Sequence, residues 1–408
     1  MLKLGLKPVI TLAAVFTFCT CIDPYIPRLT GYDSLLVVEG LITDEITSST
    51  VKLSQTFQEQ NSSPSGISDA TVFISDDKGN ISYMINNGGG IYKTDSLEFK
   101  GIVGRTYILH INTREGIDYE SEPCFMQSVP DIDSIYYEKD DELVNNETES
   151  EEGLRIYFDS EDGDENQSYR WTFEETWKFR VPNPKQFDYI DEKNIIPVSN
   201  IKDFCWKSKK SDGILIHSIY AGHSTRIERE PIFFIAADKS DRLLVQYSIL
   251  IRQYSISKQE YDFWNNLKQA NESGGDIFAK QPYTVISNIH NINNANERVL
   301  GYFQVSSVKQ RRKDITFNDI VGLDLPFYHY TCTRIEKEPK DYMWGFGPPI
   351  TWDELYSMFC VNSDYYFIEP KYIQGTKELV KLVFTRPECA DCELTGTTTM
   401  PDFWKDLN

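Results

Sequence analysis

Cysteine is the residue type whose spacing in this chain most specifically suggests chemistry. Of eight cysteines, two stand as Cys389-Ala-Asp-Cys392, a spacing shared by redox dithiols, zinc knuckles and disulfide staples. A redox pair normally opens a helix in a βαβ unit, whereas Cys389 follows the strand-like run Leu379-Val-Lys-Leu-Val-Phe384. A zinc site from Cys332, Cys360, Cys389 and Cys392 has knuckle spacing in only one pair. Disulfides are the favoured reading: Cys124, Cys205, Cys332, Cys360, Cys389 and Cys392 form an even set in a chain that carries an export signal. Strand signals are sparse after residue 331, so bridges among the last four cysteines are expected to compensate for a thin core there.

Other chemistry is weaker. Asp162, Asp164 and Asn166 alternate as in a calcium loop, but the sixth position lacks glycine and Phe173 occupies the twelfth, where a bidentate Glu belongs. A plain acidic hairpin is expected there. The five histidines, His110, His217, His223, His290 and His329, form no HExxH or HxH pattern. Gly222-His-Ser224 lacks the second glycine of a nucleophile elbow. No phosphate loop or dinucleotide fingerprint occurs, and among 62 carboxylates no pair can be singled out. The expectation is a non-enzymatic protein without a cofactor. A net charge of −21 argues against nucleic acid, whose phosphates attract Lys and Arg.

The N-terminus predicts the compartment. Lys3 and Lys7 precede an apolar run, Pro8 to Thr20, too short to span a bilayer but suited to a secretory signal. It ends at Phe18-Cys19-Thr20-Cys21, which resembles a lipobox with Cys21 as the acylated residue. Residues 1–20 are read as a lipoprotein signal peptide and 21–33 as a tether.

The elements that must position the rest are mostly strands, as an aromatic content of 13% suggests. Residues 34–129 carry short alternating runs punctuated by turns such as Asp76-Asp-Lys-Gly-Asn80, predicting a β-sandwich of the Ig-like or carboxypeptidase-regulatory-like kind. Residues 130–330 predict a second β domain, with an acidic loop over 138–152 and an irregular insertion over 182–212. One short helix is expected over 258–270. Ser257-Lys-Gln-Glu260 has capping-box spacing, and Tyr261, Trp264 and Leu267 recur on one face. Trp264 and Tyr261, with Trp171, are expected in the core, and a strand near Val299–Val305 is assigned to the same domain. Residues 331–408 are read as a disulfide-rich tail closing the second domain. The fold class is therefore mostly β, with tandem sandwich-like domains.

Several pieces together resemble one family. They are Cys21-Ile-Asp-Pro24, Val38-Glu-Gly-Leu-Ile-Thr43, Val129-Pro-Asp-Ile-Asp-Ser134 and Tyr169-Arg-Trp171 with Glu175-Thr-Trp177. Cys205-Trp206, Tyr261-Asp-Phe-Trp264, Gly301-Tyr-Phe303, Cys389-x-x-Cys392 and Pro401-Asp-Phe-Trp404 complete the series. They look like the uncharacterised Bacteroidota outer-membrane lipoproteins that carry a domain of unknown function and are usually encoded beside a TonB-dependent receptor. Phe18, Cys19, Cys332 and Cys360 depart from the pattern. The resemblance implies a lipid-anchored outer-membrane accessory protein, on the surface or the periplasmic face, that helps such a receptor capture or move a cargo. It transfers no catalytic residue. An enzyme acting on an extracellular polymer and a structural adhesin or assembly subunit are the alternatives.

Overall fold

The computed structural model describes residues 34–56, 65–95, 99–144, 149–164, 167–219, 224–273, 286–342 and 347–407. Cys21 with the signal and tether, Asn166, Gly222 and His223 lie outside these residues. The chain is mostly β, with several sheets, a few short helices and two disulfides that involve its C-terminal part. Among the described residues no helix is long and apolar enough to cross a membrane.

The first sandwich uses more of the chain than residues 34–129. Its first sheet runs in the order Leu300–Ser306, Leu36–Thr43, Thr50–Gln55, Ile91–Lys93, Ile85–Asn86. The second runs Ile289–Asn291, Asp118–Ser121, Thr106–Asn112, Thr71–Asp76, Ile81–Tyr83, with Cys124–Phe125 also pairing Thr106–Asn112. Alternate residues of both sheets, among them Val38, Leu53, Ile74, Leu109 and Phe303, fill the space between. Leu300–Ser306 was expected in the second domain and instead lies parallel to Leu36–Thr43. The physical reason is burial: Leu36–Thr43 needs a partner on each side, and the returning strand supplies one whose Phe303 completes the core.

The second domain packs a three-stranded sheet, Ile132–Val144, Glu149–Ser160 and Ile227–Ala236, on a five-stranded one. The larger sheet orders Phe204–Lys210, Ser168–Arg180, Gln246–Ile256 and Val308–Thr316, with Leu215–Ser218 also pairing Ser168–Arg180. Phe158, Trp171, Phe179, Ile249 and Ile251 are buried between them. Trp171 is in the core as expected, its indole N–H donating to Gln253 Oε1 at 2.8 Å. Over its described residues the acidic run is paired strand and not a solvated loop. Ile132–Val144 and Glu149–Ser160 stay paired out to Val144 opposite Glu149. Arg155 reaches Asp140 at 2.9 Å and Glu142 at 3.0 Å, and Lys139 reaches Glu152 at 2.9 Å, so cross-strand ion pairs relieve the repulsion.

Insertion and tail build a third unit together. Ile335–Lys337, Leu379–Thr385 and Tyr366–Tyr372 form a sheet on which the hairpin Phe187–Asp191/Asn194–Pro197 packs. Tyr189 stacks on Tyr356 at 4.5 Å in a core with Leu355, Phe367, Leu382 and Phe384. The chain then returns to the second domain, where the backbones of Trp206 and Thr397 exchange hydrogen bonds of 2.9 and 3.0 Å.

The bridges differ from expectation. Cys205 pairs with Cys392 and Cys332 with Cys389, while Cys124 and Cys360 are free thiols. Of the last four cysteines only Cys332 and Cys389 bridge each other; Cys360 is free, and the Cys389–Cys392 turn sits against the 204–210 strand and brings Cys392 to Cys205 in the core.

Candidate functional site

The helix Lys258–Ser273 forms where its sequence predicts, starting after Ser257, whose hydroxyl accepts from the Glu260 amide at 3.1 Å. It lies in the seam between the sandwiches. Phe263 is its buried aromatic, its ring centre 4.8 Å from that of Tyr302 on the first sandwich. Trp264 and Tyr261 are only partly buried, packing on Tyr254, Ile256 and Val308 of the second domain. Trp264 was expected in the core. So was Tyr261; on this helix Phe263 takes the buried position against Tyr302, and Trp264 instead packs beneath the Arg170 guanidinium, 4.1 Å from its ring centre.

Glu260 departs from its expected role. Its carboxyl accepts from the Trp264 indole N–H at 3.1 Å and is buried, only 2% exposed. Burial pushes the carboxyl up to about 8, with Trp264 and the charge of Arg170 opposing the rise. Other buried carboxylates of the domain are matched more closely. Glu175 accepts from Arg242 Nε at 2.8 Å and the Tyr247 hydroxyl at 3.0 Å. Asp241 accepts from Lys207 at 2.7 Å and the Trp177 indole at 2.8 Å.

Adjoining cavities follow the seam. One of about 180 Å³ has Glu122, Cys124, Ser257, Gln259, Glu260 and Tyr302 among its lining residues. A second, of about 230 Å³, shares Glu122, Gln259, Asn288 and Tyr302 with it and adds Asp262, Phe263 and Asn266. A third, of about 380 Å³, shares Phe125 and Gln127 with the first and opens toward Asp164.

The floor is braced by Asn288. Its side chain accepts from Phe303 N and donates to Phe303 O, both at 2.9 Å, as a neighbouring strand would. It also donates to Cys124 Sγ at 3.3 Å. Burial first, then the nearby Glu260, pushes the Cys124 thiol up to about 12, so it is no nucleophile at neutral pH. Burial likewise raises the Tyr302 phenol, against a hydrogen bond to Ser257, and lowers Arg170. The cleft therefore presents amides, carboxyls and aromatic faces.

Of the other residues singled out in the sequence, Asp164 borders the third cavity and the rest lie elsewhere. Asp162 accepts from Thr225 Oγ1 at 3.0 Å and Asp164 from Ser128 Oγ at 3.4 Å. Among the described residues no group of three or more His, Cys, Asp or Glu is placed to hold a metal. His110 stacks on Phe73 at 4.5 Å and bonds Ser75 Oγ at 2.8 Å. His217 faces Glu230 at 3.5 Å. Glu122, Asn288 and Tyr302 were not foreseen; no spacing links residues so far apart in the chain.

Together these features define a mostly β protein of two interlocked sandwich-like domains with a polar cleft in their seam and a bridged C-terminal unit. The chain belongs to the family described as Domain of unknown function (DUF4249), whose model matches residues 22–312. That span holds both walls of the cleft and ends before the C-terminal sheet. No curated protein matches the chain.

Proposed function

We propose that this chain is a lipid-anchored outer-membrane accessory protein that works with a TonB-dependent receptor in cargo capture or transport, binding its cargo without transforming it. The observation that carries the reading is the seam cleft, in which Asn266, Gln259, Phe263 and Tyr302 offer hydrogen bonds and aromatic faces over a floor braced by Asn288. The apolar run ending at Cys21 and the resemblance to receptor-associated lipoproteins support the location and the partner. Affinity purification of the tagged chain from native outer membranes should retain a TonB-dependent receptor, and purification without one overturns the partnership. Cys21→Ala should release the chain from the membrane fraction; retention after a carbonate wash would count against the anchor.

The alternative, an enzyme on an extracellular polymer, has one observation in its favour. Glu122 and Glu260 line the same cavity, and Glu260 holds its proton at neutral pH as a general acid would. Hydrolysis of a glycan by the purified chain, lost in Glu260→Gln, would establish that reading.

A further inference from the structure

We propose that the seam cleft takes an organic cation: an alkylammonium group, free or on a lysine-type side chain. The inference rests on the binding reading above and names the ligand class of the same site.

Charge, shape and aromatic surface converge on this class. Glu122, Glu260 and Asp262 stand on the walls of the two adjoining cavities of about 180 and 230 Å³. Among the described residues lining these cavities there is no Lys, Arg or His. Among the described residues two cations border the site, and Arg170 already acts on Glu260 by its charge. Lys258 is turned to Asp262 at 3.4 Å on the exposed side of the helix, a pair that water screens. Arg170 lies over the Trp264 ring and donates to Gln304 Oε1 at 2.8 Å. The cavity wall adds the tilted rings of Phe263 and Tyr302, whose faces attract a cation and whose edges bury its methylenes. Gln259 and Asn266 add amide side chains to the same walls.

The start of the helix favours an anion by itself. Here Asp262 in the second turn and Glu122 on the wall of both cavities already set carboxylates beside it, while Glu260 in the first turn holds its proton until a cation enters. An ammonium group entering the cleft favours the ionised form of Glu260, whose proton then passes to solvent. Arg170, Cys124, Tyr302 and Glu122 are the other charged or titratable groups around that carboxyl.

The test is titration calorimetry of the full chain in detergent with 1,5-diaminopentane and, in parallel, the uncharged 1,5-pentanediol, at about 0.15 M salt. The diamine should bind one per chain and the diol should give no heat. Glu122→Gln and Asp262→Asn, both at exposed positions, should each weaken the diamine by about tenfold or more. Glu378→Gln, an exposed carboxylate of the C-terminal unit, should leave it unchanged. Diol binding as tight as diamine binding would make the cleft a site for neutral polyols and overturn the proposal. Equal weakening in all three variants would reduce it to general charge attraction, and no diamine binding would refute it. Failure here with receptor co-purification intact removes the ligand class alone; loss of co-purification with diamine binding intact removes the receptor partnership alone.

Discussion

Val38 and Gly301 face each other in the parallel pairing of Leu36–Thr43 with Leu300–Ser306, and a Cβ at Gly301 would stand 2.0 Å from the Val38 carbonyl oxygen. Gly301 also has φ +88°, a region that L side chains avoid. Both strain and collision therefore act on the contact that joins residue 300 back to residue 36. Gly301→Ala should prevent cooperative folding of the first sandwich. Gly79→Ala, at φ +81° with open space around it, should cost only ~1–2 kcal/mol. Denaturant unfolding of the two variants compares them, and similar midpoints would show that the 300–306 strand is dispensable.

Glu260 makes stability depend on pH. The folded state holds its proton up to about pH 8, whereas the unfolded chain releases it near 4.5. The stability it contributes is present below the lower value and is lost as pH rises toward the upper one. The slope approaches ~1.4 kcal/mol per pH unit at most. Glu260→Gln should flatten the fall in Tm between pH 5 and about 8. An unchanged profile in that variant would place the titrating group elsewhere.

The two aromatic neighbours on the helix should respond differently. Phe263→Ala empties a buried position against Tyr302 and should cost ~3–5 kcal/mol. Trp264→Phe keeps most of the packing but removes the indole donor to Glu260 and part of the surface beneath Arg170, at ~1–3 kcal/mol. Urea midpoints in that order support the seam geometry; a larger loss for Trp264→Phe contradicts it.

Cys389 and Cys392 lie three positions apart yet are bridged to different segments, Cys332 and Cys205. Alkylation in denaturant without reductant should mark Cys124 and Cys360 and spare these four. Removing one bridge should cost ~2–4 kcal/mol. The double variant Cys205→Ser/Cys392→Ser should expose residues 387–407 to protease before the 379–385 strand. Four protected cysteines that survive as a Cys389–Cys392 peptide loop would overturn the pairing.

Local patterning was enough to reveal the β class, the turn at Asp76–Asn80, the burial of Trp171 and the helix after Ser257, because alternation and caps act over a few residues. Everything that depends on chain segments far apart was decided by tertiary packing. Strand 300–306 left the second domain because Leu36–Thr43 had an open edge and Gly301 could approach it. The acidic run stayed paired because Arg155 and Lys139 meet its carboxylates across the ribbon. Glu260 gave up half of its capping box because the fold enclosed its carboxyl between Trp264 and the seam, and burial, invisible in a linear pattern, sets both its proton affinity and its place on the cleft wall.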